Sequence, residues 1–253
     1  MQHNETRPVD ACGIQPIKTN GTAGQVGISH KDIHTCLRGS MCSHYEAPSP
    51  HLVAEAFGVA PFEQGRLDLW PGHIGPFLRH PDGRAEDDES PAAMEVLTGS
   101  FGLIPSWSKD SKIARRTYNA RSETVAEKPS FRHAWRHAQH CIIPAVAIYE
   151  PDWRSGKAVV TRIARADGEL LGIAGLWEQW RDPSTDQTLH SYTMLTVNAD
   201  DHDFMKAYHK PQDEKRMVVI LPKGSYMDWL TARTEQSAAF MNQYPADRLA
   251  VAM

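Results

Sequence analysis

The residues that could do chemistry begin at Met41-Cys42, opening the run Met41-Cys42-Ser43-His44-Tyr45-Glu46, which reads like a second protein start inside the chain. A cysteine at a chain start is a 1,2-aminothiol, with an α-amine of pKa ~7.7–8.0 beside a thiol of ~8.5. The amine can condense with an aldehyde to an imine, and the thiol can then close a five-membered thiazolidine. An internal cysteine cannot, because its nitrogen is tied up in an amide. Both steps move protons, which suits a carboxylate or an imidazole. Three later stretches carry such groups: Tyr118-Asn119-Ala120-Arg121-Ser122-Glu123-Thr124, Ile143-Pro144-Ala145-Val146-Ala147-Ile148-Tyr149-Glu150 and Tyr208-His209-Lys210-Pro211. Taken singly, each polar residue also has a plain structural reading, as a turn asparagine, a strand-end acid or a satisfied histidine.

The chain that must position these groups has 253 residues, 41% of them hydrophobic and 23% charged, enough to bury a full core. No apolar run approaches the ~18–20 residues that span a bilayer, and the N-terminus lacks a secretory signal's apolar core. A cytoplasmic protein without a membrane segment is expected. Four cysteines, Cys12, Cys36, Cys42 and Cys141, form no Cys-x-x-Cys pair, so neither a disulfide scaffold nor a zinc ribbon is indicated. A site drawn from Cys42, His44, His140 and Cys141 has no recognised ligand spacing, so no metal or cofactor is expected, and Cys141 reads as a core thiol.

The net charge of −4 argues against indiscriminate polyanion binding. Between Ser106 and His140, however, Lys109, Lys112, Arg115, Arg116, Arg121, Lys128, Arg132 and Arg136 face only Asp110, Glu123 and Glu127. That window is either a solvated basic face or a track for a polyanion beside a site.

Residues 1–41 lack sustained periodicity and read as a disordered leader, a pro-segment or a misassigned start; residues 42–253 read as one domain. A helix is expected over Pro50 to Phe57, with Leu52, Ala56 and Phe57 sharing a face. His80 to Pro91 is an acidic turn or loop. Strands are expected at 67–70, 94–98, 157–163, 169–177, 191–197, 216–221 and 249–253, with helical stretches at 130–137, 227–230 and 234–243. The apolar run Cys141 to Glu150 reads as one buried strand delivering Glu150 to its end. Short strands and helices without regular alternation indicate an α+β fold.

In combination these stretches resemble the SRAP (SOS response-associated peptidase) family, from Cys42 almost to the C-terminus. The landmarks are Met41-Cys42, Gly102-Leu103-Ile104-Pro105-Ser106-Trp107, Asn119-Ala120-Arg121-Ser122-Glu123-Thr124 and Pro129-Ser130-Phe131-Arg132. They continue with Ile143-Pro144-Ala145 to Tyr149-Glu150, Ala174-Gly175-Leu176-Trp177-Glu178, Leu195-Thr196 with Asn198-Ala199, then His209 and Arg216-Met217-Val218-Val219-Ile220-Leu221-Pro222. The chain departs from the family pattern at Ser43-His44, where Gly-Arg is common, and at Phe101 and Pro151, where tryptophan is common. His209 also stands farther from the Arg-Met strand, across Lys210 to Lys215.

The resemblance implies a single domain with a mostly antiparallel, barrel-like β core and flanking helices. It implies a nucleophile at Cys42, exposed once residues 1–41 are gone, with Asn119, Glu150 and His209 as active-site partners. The implied activity is covalent capture of abasic sites in single-stranded DNA during the DNA damage response, by a monomer that is nucleoid-associated when on DNA. Glu150 is expected to move protons at the amine and sugar, His209 to assist ring opening or imine protonation, and Asn119 to hold the N-terminus. Arg121 is expected to clamp a phosphate beside the lesion, with Arg115, Arg116, Arg132 and Arg136 along the flanking backbone. Trp107 either stacks on a base or fills the core. Two rival readings stand beside this one: a thiol peptidase that cleaves after Met41, and a non-catalytic single-stranded DNA-binding module.

Overall fold

In a computed structural model, residues 42–81 and 94–252 are described. The expected leader and most of the acidic turn near residues 80–91 lie outside the described residues. The described strands are β1 (Tyr45–Glu46), β2 (Asp68–Leu69), β3 (Ile74–Arg79), β4 (Glu95–Phe101), β5 (Asn119–Arg121) and β6 (His140–Ala145). They continue with β7 (Ala147–Asp152), β8 (Val159–Arg165), β9 (Leu171–Arg181), β10 (Thr188–Asn198), β11 (Arg216–Val218) and β12 (Leu249–Val251). The α-helices are short: α1 (Pro50–Phe57), α2 (Arg132–Arg136) and α3 (Tyr226–Thr231).

The strands form two sheets. One is open, in the order β12-β8-β7-β1-β2. The other closes on itself: β10 pairs β9, β9 pairs β6, β6 pairs β3, β3 pairs β4, and β4 returns to β10 at Ser191↔Ser100 and Tyr192↔Phe101. That circuit is a small barrel, antiparallel except at the β4–β10 closure, and it fulfils the expected α+β fold with a barrel-like core. β5 and β11 extend it from β10, β5 in parallel and β11 antiparallel.

Closure explains the composition of β9, where Leu171 to Glu178 is buried without alternation because it is covered on both faces. At Gly175 the backbone passes so close to Ile143 and the Thr193 carbonyl that a side chain would not fit. Gly102, leaving β4, has φ +116°, and a Cβ there would collide with the backbone of Ala114. One core cluster draws Tyr45 and Ile148 from the open sheet and Phe77, Ile142 and Tyr192 from the barrel.

α1 lies where expected and starts and stops for local reasons. Ser49 Oγ accepts from the Leu52 amide at 3.4 Å, Pro50 opens the first turn, and Gly58 ends it at φ 68°. Its buried face keeps Phe57 of the expected set but has Val53 in place of Leu52. Val53 and Phe57, one turn apart, are buried, whereas Leu52 is exposed. Burying two such side chains is worth about 1.5–3 kcal/mol each, which is what holds so short a helix.

The run from Cys141 to Glu150 is two strands rather than one. β6 belongs to the barrel and β7 to the open sheet, and the chain changes sheet at Val146. Glu150 therefore sits within β7, paired across from Thr161, and not at a strand end. Residues 234–240 are a 3₁₀ helix, so the expected last helix is shorter and tighter than an α-helix.

Candidate active site

Cys42 enters the fold immediately before β1 and is buried, with Sγ 3.6 Å from the His44 carbonyl. Asn119, the first residue of β5, reaches across from the barrel sheet and donates from Nδ2 to the Cys42 carbonyl at 2.8 Å. Glu150 comes from β7 and is 2% exposed. His209 is equally buried, and its Nδ1 lies 3.7 Å from Glu150 Oε2. All four residues expected at the centre converge.

His209 is held by three restraints. The Asp152↔Tyr208 bridge zips its segment to the end of β7, and its amide donates to the Pro151 carbonyl at 2.9 Å. Its Nε2 lies 3.0 Å from the Arg216 carbonyl on β11. Its φ of 65° is unfavourable for a residue with a Cβ, a cost of about 1–2 kcal/mol that these contacts over-determine. A carbonyl can only accept, so Nε2 carries the proton and Nδ1 presents either a lone pair or, in the imidazolium, a second proton toward Glu150.

The electrostatics follow from burial. Glu150 is raised from 4.5 to about 7, by removal from water foremost, opposed by the His209 charge and a hydrogen bond with the Cys42 thiol. The Cys42 thiol is pushed well up, by burial first and then by the negative Glu150. Glu150 Oε2, His209 Nδ1 and Asn119 Oδ1 are buried without a hydrogen-bond partner among the described residues. Such groups cost about 1–3 kcal/mol each unless something else binds them. The buried site thus holds a protonated thiol beside a carboxyl that titrates near neutral pH, with polar atoms on three of its residues left without a hydrogen bond.

The remaining expected site residues are exposed. Arg121 ends β5 and is half exposed, but it is not a free cation. Its guanidinium pairs with Glu214 at 2.8 Å. Arg115 and Arg116 close a 3₁₀ turn at Ser111–Arg116, and Arg132 and Arg136 lie on α2. All four are exposed. Trp107 is not a core residue, being 57% exposed, with Nε1 donating to the Pro129 carbonyl at 3.3 Å. Its loop is pinned from behind where buried Trp180 donates to the Ser108 carbonyl at 2.8 Å.

Two features were not anticipated. His44 is sandwiched between Trp70 and Tyr149, ring centroids 4.1 and 4.0 Å away and nearly parallel, and is hydrogen-bonded to Asp68. The only sequence signal was the departure at Ser43-His44. The second is a charge network behind Arg121. Arg216, buried, grips Glu123 through both terminal nitrogens at 2.9 Å and reaches Glu214 at 2.8 Å. In sequence Asp213-Glu214-Lys215 looks like an ordinary solvated turn. Among the described residues, no group of three or more His, Cys, Asp or Glu side chains is arranged to hold a metal ion, and no helix is long and apolar enough to cross a membrane.

Known proteins share this architecture. A crystal structure of a protein from Bordetella bronchiseptica is 48% identical with a TM-score of 0.74, covering 83% of this chain and 98% of that one. Abasic site processing protein YoaM of Bacillus subtilis is 38% identical over 136 residues, 53% of this chain and 55% of that protein. Abasic site processing protein HMCES of Xenopus tropicalis is 31% identical over 119 residues, 39% of this chain and 36% of that protein. The chain thus aligns with little more than half of the first of these curated relatives' length and less of the second. The family model for SOS response associated peptidase (SRAP) matches residues 41–253, the stretch that contains both sheets and all four converging side chains, and the chain belongs to that family.

Proposed function

We propose that this protein captures abasic sites in single-stranded DNA through a thiazolidine formed on Cys42, in a form whose first residue is Cys42. The observation that carries the reading is the buried Glu150–His209 pair beside Cys42, whose carbonyl Asn119 holds. The names of the relatives point to the same substrate.

The ring-opened sugar of an abasic site is an aldehyde. The Cys42 amine adds to its carbon and gives a carbinolamine. Glu150, which titrates near neutral pH, donates a proton to the departing hydroxyl, water leaves, and a protonated imine remains. The resulting carboxylate is then placed to take the thiol proton as Sγ adds to the imine carbon and the imine nitrogen becomes an amine. The adduct equals protein plus DNA less one water. His209 shares the proton with Glu150 and serves the opening of the sugar ring. The buried thiol is a poor nucleophile by itself, so an adjacent proton acceptor is what makes it competent.

The DNA backbone is assigned to Arg121, Arg115, Arg116, Arg132 and Arg136, and the exposed face of Trp107 to base stacking. The protein acts as a monomer in the cytoplasm, on the nucleoid when bound. The decisive experiment is intact mass after mixing with an oligonucleotide that carries one abasic site. A chain beginning at Cys42 plus the oligonucleotide, less one water, is expected. An adduct that forms equally well with Cys42→Ala sinks the reading.

The family's description as a peptidase favours a second activity of the same groups, cleavage of the bond after Met41. In that case Cys42→Ala accumulates a precursor that retains residues 1–41, whereas the parent does not.

A further inference from the structure

Arg121 and the buried site are joined by a circuit of contacts. β5 carries Asn119, which holds the Cys42 carbonyl, and two residues on it carries Arg121. Arg121 Nη1 is 2.8 Å from Glu214 Oε2, and the other oxygen of Glu214 accepts from Arg216 at 2.8 Å and Asn198 at 3.2 Å. The Arg216 carbonyl in turn meets His209, the partner of Glu150. Glu214 is thus the oxyanion seated on Arg121. Burial alone would raise it, but the Arg216 and Asn198 hydrogen bonds and the two positive charges outweigh burial and hold it below the usual carboxylate range, so it is charged at neutral pH.

A guanidinium takes carboxylate and phosphate in the same planar geometry. Arg121 cannot offer both faces of its fork to a phosphate while Glu214 occupies part of it. We propose that Glu214 is a built-in phosphate mimic, which occupies the anion seat of Arg121 in the DNA-free chain and must withdraw when a nucleic-acid phosphate enters. This rests on the reading of Arg121 as a backbone contact. Glu214 is the member able to leave. Its side chain is about one-third exposed, and both terminal nitrogens of Arg216 keep a partner without it, in Glu123 and the Thr196 carbonyl. Glu214 also lies in the stretch between His209 and Arg216, so its withdrawal bears on the segment that presents the imidazole. The consequence is a threshold. A lone anion must compete with an intramolecular carboxylate, whereas a strand that also engages Arg115, Arg116 and Trp107 displaces it with contacts to spare.

The test is equilibrium binding of the full chain to a single-stranded oligonucleotide with a tetrahydrofuran abasic analogue, which cannot crosslink, across a salt series. Glu214→Gln keeps the shape and removes the charge. It is expected to bind about three- to tenfold tighter at low salt, with a log–log salt slope steeper by about 0.7, one more released counterion. Both gains should vanish when Arg121→Gln is added, and neither should appear in Glu235→Gln, which removes the same charge from the exposed 3₁₀ turn. If Glu214→Gln unfolds, Glu214→Ala takes its place with the same expectation. Parent binding with an unchanged or weaker Glu214 variant overturns the mimic and leaves the proposed function standing. No binding by the parent or the variants overturns both.

Discussion

His209 Nδ1 faces Glu150 Oε2 across 3.7 Å, with both side chains sealed from solvent and Nε2 of the same imidazole committed to the Arg216 carbonyl. The geometry sets the buried carboxyl against an imidazole nitrogen that no other hydrogen bond among the described residues uses. Glu150→Gln should slow crosslinking about 10²–10⁴-fold while leaving binding of the unreactive analogue within about twofold. His209→Gln should slow it as well, by a smaller factor if its main task is to position the carboxyl. Single-turnover rates at saturating DNA measure this, and equal rates in parent and Glu150→Gln remove the carboxyl from the mechanism.

The same carboxyl gives the fold a pH dependence. Its folded value of about 7 lies above its ordinary 4.5, so between those pH values the folded chain holds a proton that the unfolded chain has released. Stability contributed by this group is therefore greatest below about pH 4.5, falls as pH rises to 7 and is level above. The loss is on the order of 3 kcal/mol. Denaturant unfolding at pH 5 and pH 7.5 should show it in the parent and not in Glu150→Gln. Parallel profiles for the two proteins would mean the carboxyl is ionised throughout.

Gly102→Ala should be among the most damaging single changes outside the buried site. It asks a residue with a Cβ to adopt φ +116° and drives that carbon into the backbone around Ala114, which has no flexible side chain to yield. A loss of more than about 3 kcal/mol is expected, by thermal or denaturant melting. A variant as stable as the parent would show that the loop from Gly102 to Thr117 can reseat.

Trp107→Ala separates binding from folding. Because the indole is mostly exposed and held by one hydrogen bond at its edge, melting should shift by less than about 1 kcal/mol. Affinity for single-stranded DNA should fall by about 1–3 kcal/mol if a base stacks there. Neutralising Arg115 and Arg116 should instead flatten the salt slope by about 0.7 per charge, whatever the base sequence. Unchanged affinity in the first or an unchanged slope in the second removes that residue from the DNA surface.

Much of this was legible in the sequence because the chemistry sits in short, distinctive stretches. Asn119, Glu150 and His209 each lie inside one, and all converge on Cys42. The change of sheet at Val146 was hidden because apolar residues continue across it with no glycine to mark the bend. Pro144 within that run lies in β6 rather than ending it. Leu52 was assigned to the buried face of α1 because hydrophobicity alone does not say which side of an eight-residue helix meets the core. Glu214 was invisible for another reason. Its role depends on which cation a folded loop brings against it, and charged turn residues look alike until the loop is placed.

The site draws its residues from both sheets. Cys42 leads into the open sheet and Glu150 lies in it; Asn119 and Arg216 belong to the barrel, and His209 is tied by hydrogen bonds to one strand of each. No half of the fold owns a complete set of reacting groups. A partly assembled chain therefore carries the thiol without the full set of groups around it. Acid–base help from the complete set comes only once the packing that joins the two sheets is in place, so assisted chemistry reports finished assembly.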